Sequence, residues 1–269
     1  MKTIALSISN NEKQNFVNNS YVRAFTTKET TAMLVPNFLI DYRDEIMSEK
    51  TKEEIKERAS KIAMATDALV ISGGADLNPL SINDEVEQSD SFNITRDYVE
   101  KALFHAFVSE NKPIFGICRG LQLIGQIMKF PNFSQQLPAV SGEHNAHRFS
   151  ASRRSEPIHH VTLAGKYLEY MTKKIPNIEQ TIVNSWHHQG FTIKHHGKPI
   201  VNEEERNTAI KAFEEASVVG EMTKVILHTD SIVEGIEIEQ YKIVAVQYHP
   251  EENDNSPIIG YFIEKYLKD

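Results

Sequence analysis

The sequence has little cysteine and little positive charge. A single cysteine, Cys118, leaves no internal disulfide and no thiolate metal cluster. With 29 Lys and Arg against 37 Asp and Glu, the net charge of −8 argues against a general nucleic-acid binder. No apolar run approaches the roughly 20 residues that a membrane helix needs. We therefore expect no nucleic-acid or membrane partner, and a reducing, cytoplasmic setting.

The composition is otherwise that of a globular protein, with 40% apolar and 25% charged residues. The opening residues lack a signal-peptide cleavage site and predict a strand. No linker or repeat divides residues 1–269, so we expect one domain. Short apolar runs alternate with helical patterns, which predicts an α/β fold: an open parallel sheet with helices on both faces. Strands are predicted at 3–7, 32–35, 68–71, 113–117 and 243–247, and helices at 53–65, 95–110, 121–128, 203–216 and 257–266.

The second half of the chain is less regular. Further strands are predicted at 161–163, 181–183, 224–227 and 232–238, and we expect them to form a small antiparallel portion of the fold.

A glycine-flanked cysteine stands where a predicted buried strand meets a predicted helix, in the segment GICRG. Glycines relieve the crowding of such a sharp turn, which places Cys118 at the carboxyl end of the sheet, where open α/β folds bind ligands. The amides at the helix N-terminus favour the thiolate, and the amide of Arg119 faces a developing oxyanion. The alternative interpretation is a buried structural cysteine.

A thiolate nucleophile needs a base and a group that orients the base. His249 follows the predicted strand at 243–247, and a parallel sheet places this strand end beside that of Cys118. Glu251 is close enough to hold the imidazole nitrogen that faces away from the sulfur, and Glu252 offers the same chemistry. A surface turn is the alternative.

Two glycines end the strand that precedes the cysteine strand. Gly73 and Gly74 suit the close approach of a ligand to the backbone, and the amide of Gly74 is a candidate second oxyanion donor. An ordinary strand-end turn is the alternative.

Five segments occur in the order SGGADLNP, RD (Arg96 and Asp97), PIFGICRGLQ, VNSWHHQG and VAVQYHPE. From about residue 68 to 251 the chain thereby resembles the class I glutamine amidotransferase-like proteins, and among them the stand-alone γ-glutamyl-γ-aminobutyrate hydrolase type of the peptidase C26 group. The resemblance implies a flavodoxin-like sheet and a triad of Cys118, His249 and Glu251.

The resemblance also implies a reaction and a set of substrate contacts. Cys118 attacks a γ-glutamyl amide, His249 carries the proton to the leaving amine, and water releases glutamate from the thioester. The amides of Gly74 and Arg119 hold the oxyanion. No cofactor or metal is implied, the partner is a small γ-glutamyl substrate, and a homodimer is compatible with the resemblance. The substrate-binding residues it implies are Gln122, Asn184, Ser185, His187 and Gln189.

Two regions depart from the family pattern. Residues 195–223 form an insertion with a charged surface helix, which is either an inert excursion or a cap over the site or a subunit contact. Residues 135–155 also differ from the family pattern, and we expect them to lie where the leaving group binds. Of all the properties implied by the resemblance, substrate choice is therefore the one that carries over least to this chain.

Other interpretations stay open. A glutaminase subunit that supplies ammonia to a separate synthetase, a γ-glutamyl-binding module without turnover, and folate polyglutamate cleavage all fit parts of the pattern. His144 and His147 have workable metal-ligand spacing without an evident third ligand. Trp186 either packs in the core or contacts a ligand. Arg96 either lies at the start of a helix or binds an acidic ligand.

Overall fold

The computed structural model describes residues 1–10, 14–38, 48–78, 92–137, 154–194, 200, 202–229 and 231–268. The strands in these residues are β1 (Lys2–Ser7), β2 (Ser9–Asn10), β3 (Asn15–Phe16), β4 (Thr30–Val35), β5 (Ala68–Ile71), β6 (Ile114–Ile117), β7 (Phe133–Ser134), β8 (His159–Leu163), β9 (Gln180–Val183), β10 (Gly190–Phe191), β11 (Thr223–His228), β12 (Val233–Ile238) and β13 (Ile243–Val246). The α-helices are α1 (Asn19–Phe25), α2 (Glu49–Ala65), α3 (Ile94–Ser109), α4 (Arg119–Ile127), α5 (Gly165–Lys174), α6 (Glu203–Ala216) and α7 (Pro257–Tyr266).

Nine strands form the central sheet, in the order β4-β1-β5-β6-β13-β12-β11-β8-β9. The strands from β4 to β13 pair in parallel. Those from β12 to β9 extend the sheet with antiparallel pairs. This confirms the predicted open parallel sheet with an antiparallel portion in the second half. The parallel part brings the carboxyl ends of β5, β6 and β13 to one edge, where the site lies.

Helices cover both faces of the sheet, as predicted. Alternate residues of each buried strand point to opposite sides. On one side Leu69 and Ile114 pack with α2, α3, α4 and α6. On the other side Val70 and Phe115 pack with α1, α5 and α7. The near-continuous apolar runs of these strands follow from burial on both faces.

Two helices of the second half, α5 and α6, can be compared with the predictions from the sequence. The predicted helix α6 is confirmed: Asn202 caps it by accepting from the amide of Glu205 at 2.9 Å, and Phe213 buries one face against Phe130. No helix was predicted at α5, and this was wrong. Its apolar signal is weak because only Tyr167 and Met171 are buried in ten residues. Residues 195–199 and 201 of the predicted insertion lie outside the described residues.

None of the described helices has both the length and the apolar character needed to cross a membrane.

Candidate active site

Cys118 lies in a strained turn between β6 and α4. Its φ of +53° is rare for a residue with a side chain, and its amide donates to the carbonyl of Val246 at 2.8 Å. The turn is tight enough that a Cβ on Gly120 would lie 2.3 Å from the carbonyl oxygen of Ile71. The sequence therefore needs glycine here, and the backbone holds Cys118 at the carboxyl end of the sheet.

His249 reaches the same point from the adjacent strand. β13 pairs in parallel with β6, with Val246 opposite Ile117, so the two strand ends lie side by side as the sequence predicted. The imidazole and the side chain of Cys118 both border Gly73 and line the same cavity. Its Nδ1 lies 2.7 Å from a carboxylate oxygen of Glu251. The structure thus brings together the three residues of the predicted triad.

The electrostatic surroundings of His249 favour the imidazolium. Burial of the ring lowers its pKa, but the negative charges of Glu251 and Cys118, with the hydrogen bond to Glu251, outweigh burial and raise the pKa of His249 to about 10. The geometry therefore favours a histidine that holds a proton close to the sulfur.

Asn184 fixes the backbone of the histidine. Its side-chain Nδ2 donates to the carbonyl of His249 at 2.8 Å, and its Oδ1 accepts the amide of His249 at 2.9 Å. Asn184 is fully buried directly after β9. This predicted substrate-binding residue therefore holds the triad in place.

The glycine turn borders the nucleophile through Gly73. A Cβ on this residue would lie 2.9 Å from Cε1 of His249 and 3.4 Å from Cβ of Cys118. Its amide donates to the hydroxyl of Tyr21 at 2.9 Å, and this hydroxyl lies 3.5 Å from Nδ1 of His249. Gly74, the predicted oxyanion donor, has a φ of +144° and also lines the cavity, and a Cβ on this residue would lie 2.3 Å from Nη1 of Arg96.

A buried ionic network joins the glycine turn to the cysteine turn. Arg119 pairs with both Asp97 and Glu100 of α3. Arg96 donates from Nε to Glu100 at 2.9 Å and from Nη2 to the carbonyl of Gly73 at 3.0 Å. The side chain of Arg119 is thus structural, and Arg96 braces the turn instead of reaching into the cavity.

The remaining predicted recognition residues are buried behind the nucleophile. Gln122 donates to the carbonyl of Gln189 at 3.1 Å, and Nδ1 of His187 donates to the same carbonyl at 3.0 Å. Gln247, which the sequence did not single out, donates to Sγ of Cys118 at 3.7 Å. The cavity wall in the described part of the chain includes none of Gln122, Asn184, Ser185, His187 and Gln189.

A cavity of about 330 Å³ opens onto Cys118 and His249. The glycine turn, Tyr21, Trp186 and Arg154 also line it. Its size suits a small molecule. Two larger cavities, of about 630 and 570 Å³, are lined by neither Cys118 nor His249. The smaller cavity is therefore the candidate substrate site.

Besides Gln247, three contributors to the site lie outside the residues that the sequence singled out for chemistry. Tyr21, Glu100 and Arg154 carry no local motif. In the described part of the chain no group of three His, Cys, Asp or Glu is arranged to hold a metal ion. His144 and His147 lie outside the described residues.

Solved structures share the fold of this chain. The chain resembles the glutaminase domain of Trypanosoma brucei CTPS with bound acivicin, with a TM-score of 0.56, 14% identity, and coverage of 100% of this chain and 95% of that one. It also resembles a protein of the GMP synthase type from Thermoplasma acidophilum, with a TM-score of 0.52, 15% identity, and coverage of 98% and 94%. The fold is therefore that of the glutamine amidotransferase-like proteins.

A protein-family model described as Peptidase C26 matches residues 2–251. The chain therefore belongs to the Peptidase C26 family.

Curated proteins are also similar to this chain in sequence. The glutamine amidotransferase-like protein YvdE of Lactococcus lactis subsp. lactis is 30% identical over 186 residues, which are 69% of this chain and 66% of that protein. Protein NtpR of Enterococcus hirae is 27% identical over 203 residues, which are 73% and 72% of the two chains. The matches span just under two thirds of the two Lactococcus relatives, at 66% and 62% of their length.

Proposed function

We propose that the protein is a cysteine hydrolase that cleaves the γ-glutamyl amide bond of a small γ-glutamyl amine or amino acid and releases glutamate. The observation that carries this proposal is the arrangement of the triad: Cys118 and His249 line a cavity of about 330 Å³, and Glu251 lies 2.7 Å from Nδ1 of His249. A nucleophile, a base and an orienting carboxylate in that order are the parts that acyl transfer needs.

The proposed reaction uses each contact in turn. Cys118 attacks the amide carbonyl after its proton passes to His249, and the amides of Gly74 and Arg119 stabilise the oxyanion. His249 then protonates the leaving nitrogen, the carbon–nitrogen bond breaks, and a glutamyl thioester remains. Water, deprotonated by His249, releases glutamate and restores the thiol. Glu251 holds the ring through Nδ1, which leaves Nε2 for the sulfur and the leaving group.

A glutaminase that serves a separate synthetase is the second candidate. It is favoured by relatives that are named glutamine amidotransferase-like and by the fold shared with a CTPS glutaminase domain. Such a protein would release ammonia from glutamine, and a synthetase partner would raise the rate. The two candidates therefore differ in the leaving group that they prefer.

The test is the release of glutamate from a panel of γ-glutamyl amines, γ-glutamyl amino acids and glutamine, with wild type and Cys118→Ala compared. We expect release from a γ-glutamyl amine or amino acid to exceed that from glutamine. Loss of the nucleophile should lower turnover by about 1,000-fold or more, with thermal unfolding little changed. Full activity in Cys118→Ala contradicts the mechanism. Release from glutamine alone favours the glutaminase.

A further inference from the structure

Arg154 is held at the wall of the cavity by two contacts. Its guanidinium lies over the ring of Trp186, with the central carbon 5.0 Å from the ring centroid. Its Nε donates to a carboxylate oxygen of Glu252 at 2.9 Å. Both Arg154 and Trp186 line the cavity that contains Cys118. Stacking and the ion pair together orient the guanidinium plane.

The outer edge of this guanidinium is available for a ligand. A guanidinium has five N–H donors, and the contacts of Arg154 with described residues use Nε and the flat face. Nη1 and Nη2 have no hydrogen-bond acceptor among the described residues. The described cavity wall contains no Asp or Glu, and the carboxylate of Glu252 pairs with Arg154 through Nε, away from the outer edge. Two parallel N–H groups match the two oxygens of a carboxylate.

The anchors of Arg154 place it on the side of His249. Glu252 belongs to the short helix Pro250–Glu252, which directly follows His249. The same oxygen of Glu252 accepts from the hydroxyl of Ser20 at 3.2 Å, which ties this turn to α1. His249 is the group that delivers a proton to the leaving nitrogen in the proposed reaction. The guanidinium therefore borders the region of the leaving group.

We infer that Arg154 binds a carboxylate on the leaving group and thereby sets the preference of the enzyme among γ-glutamyl amides. This inference rests on the proposed function and narrows it, because γ-glutamyl monoamines and glutamine lack a carboxylate on the leaving side. Arg154 is a specificity-determining residue in this assignment.

A matched pair of substrates tests the inference. γ-Glutamyl-γ-aminobutyrate and γ-glutamyl-butylamide differ in whether the leaving chain ends in a carboxylate or a methyl group. Arg154→Gln should lower kcat/KM for the first by about 10- to 100-fold, as expected for a charged hydrogen-bonded pair, and leave the second within about twofold. Arg154→Lys should be intermediate, because it keeps the charge and loses the two-pronged geometry.

Arg23→Gln is the control for removal of a positive charge. Arg23 is exposed, pairs with Asp254 at 3.1 Å and does not line this cavity, so both rates should stay unchanged. The variants are compared by thermal unfolding to confirm that Arg154→Gln is folded. Equal losses on both substrates would place Arg154 at the glutamyl end or in a structural role, and no loss would remove it from recognition. Either result overturns the inference.

Binding separates this inference from the proposed function. In Cys118→Ala, calorimetry with the two intact compounds should show tighter binding of γ-glutamyl-γ-aminobutyrate, and the difference should disappear when Arg154→Gln is added. If that difference is found without any turnover by wild type, the proposed hydrolysis fails and the role of Arg154 stands. If wild type hydrolyses both compounds and the difference is absent, the role of Arg154 fails and hydrolysis stands.

Discussion

The amide of Gly73 donates to the hydroxyl of Tyr21 at 2.9 Å, so a side chain from α1 occupies a backbone donor beside the nucleophile. Burial and the negative charges of Glu251 and Cys118 raise the pKa of Tyr21 well above its ordinary value, so the phenol keeps its proton. The hydroxyl that accepts from Gly73 lies on the Nδ1 side of His249, beside the carboxylate of Glu251. In the proposed reaction it helps to hold the pair of Glu251 and His249 in place.

Tyr21→Phe should therefore impair the chemical step. We expect kcat to fall by about 10-fold, because the imidazole of His249 and its carboxylate partner are held less firmly, with KM little changed. The amide of Gly73 loses its acceptor, which should lower the free energy of unfolding by about 1–2 kcal/mol. Steady-state kinetics and urea unfolding of the same preparations measure both effects.

Tyr266→Phe is the matched control for loss of a phenol hydroxyl. The hydroxyl of Tyr266 donates to buried Glu237 at 2.6 Å and lies outside the cavity wall. This variant should lose a similar amount of stability and keep its kcat. A Tyr21→Phe protein with the kcat of wild type would exclude the hydroxyl from the reaction.

Asn184 has two competing roles that kinetics can distinguish. The family resemblance implies that it recognises the glutamyl group, whereas its two hydrogen bonds to the backbone of His249 make it a positioning residue. We expect Asn184→Ala to lower kcat by about 10-fold or more, because the base is displaced, with KM nearly constant. Two buried backbone groups lose their partners, so the free energy of unfolding should fall by about 2–4 kcal/mol.

The control for this variant is Asn37→Ala. Asn37 is also buried, and its side chain donates to Asn10 and Thr95 at 2.9 Å without lining the cavity. It should lose stability without loss of kcat. A rise in KM at constant kcat in Asn184→Ala would instead support the recognition role.

The sequence predicted the parts of the fold and site that have a local signature. Buried strands of a parallel sheet give continuous apolar runs, and a strand-to-helix turn needs glycines such as Gly120. The sequence also predicted that Cys118 and His249 lie close together, because they follow two parallel strands that end at the same edge of the sheet.

Contacts between distant side chains had no such signature. Tyr21 and Gly73 are 52 positions apart, and Arg154 and Glu252 are 98 apart. Their meeting depends on how helices and loops pack over the sheet, which periodicity does not encode. The sequence left Trp186 between packing and ligand contact, and the structure places it in the cavity wall under Arg154.

The charge of His249 gives the last prediction, because its pKa is raised to about 10 against an ordinary value of about 6.5. A group with a raised pKa in the folded state stabilises that state fully below the unfolded pKa, and this contribution is lost as the pH rises through the folded value. Wild type should therefore lose this part of its stability between about pH 6.5 and about pH 10. Glu251→Gln removes a negative charge that stabilises the imidazolium against burial, so the pKa of His249 should fall. The loss of folding stability between about pH 6.5 and about pH 10 should then be smaller than in wild type.

Nitrogen-detected NMR titration of the imidazole measures this pKa, and urea unfolding at a series of pH values measures its effect on stability. Glu252→Gln is the matched control, since Glu252 pairs with Arg154 and has no hydrogen bond to the His249 ring. The control should keep the wild-type titration of His249. An unchanged titration in Glu251→Gln, or an equal shift in Glu252→Gln, would show that Glu251 is not the carboxylate that stabilises the imidazolium. A shift confined to Glu251→Gln would assign the orienting role to Glu251, because only its carboxylate contacts Nδ1 in the part of the chain that the structure describes.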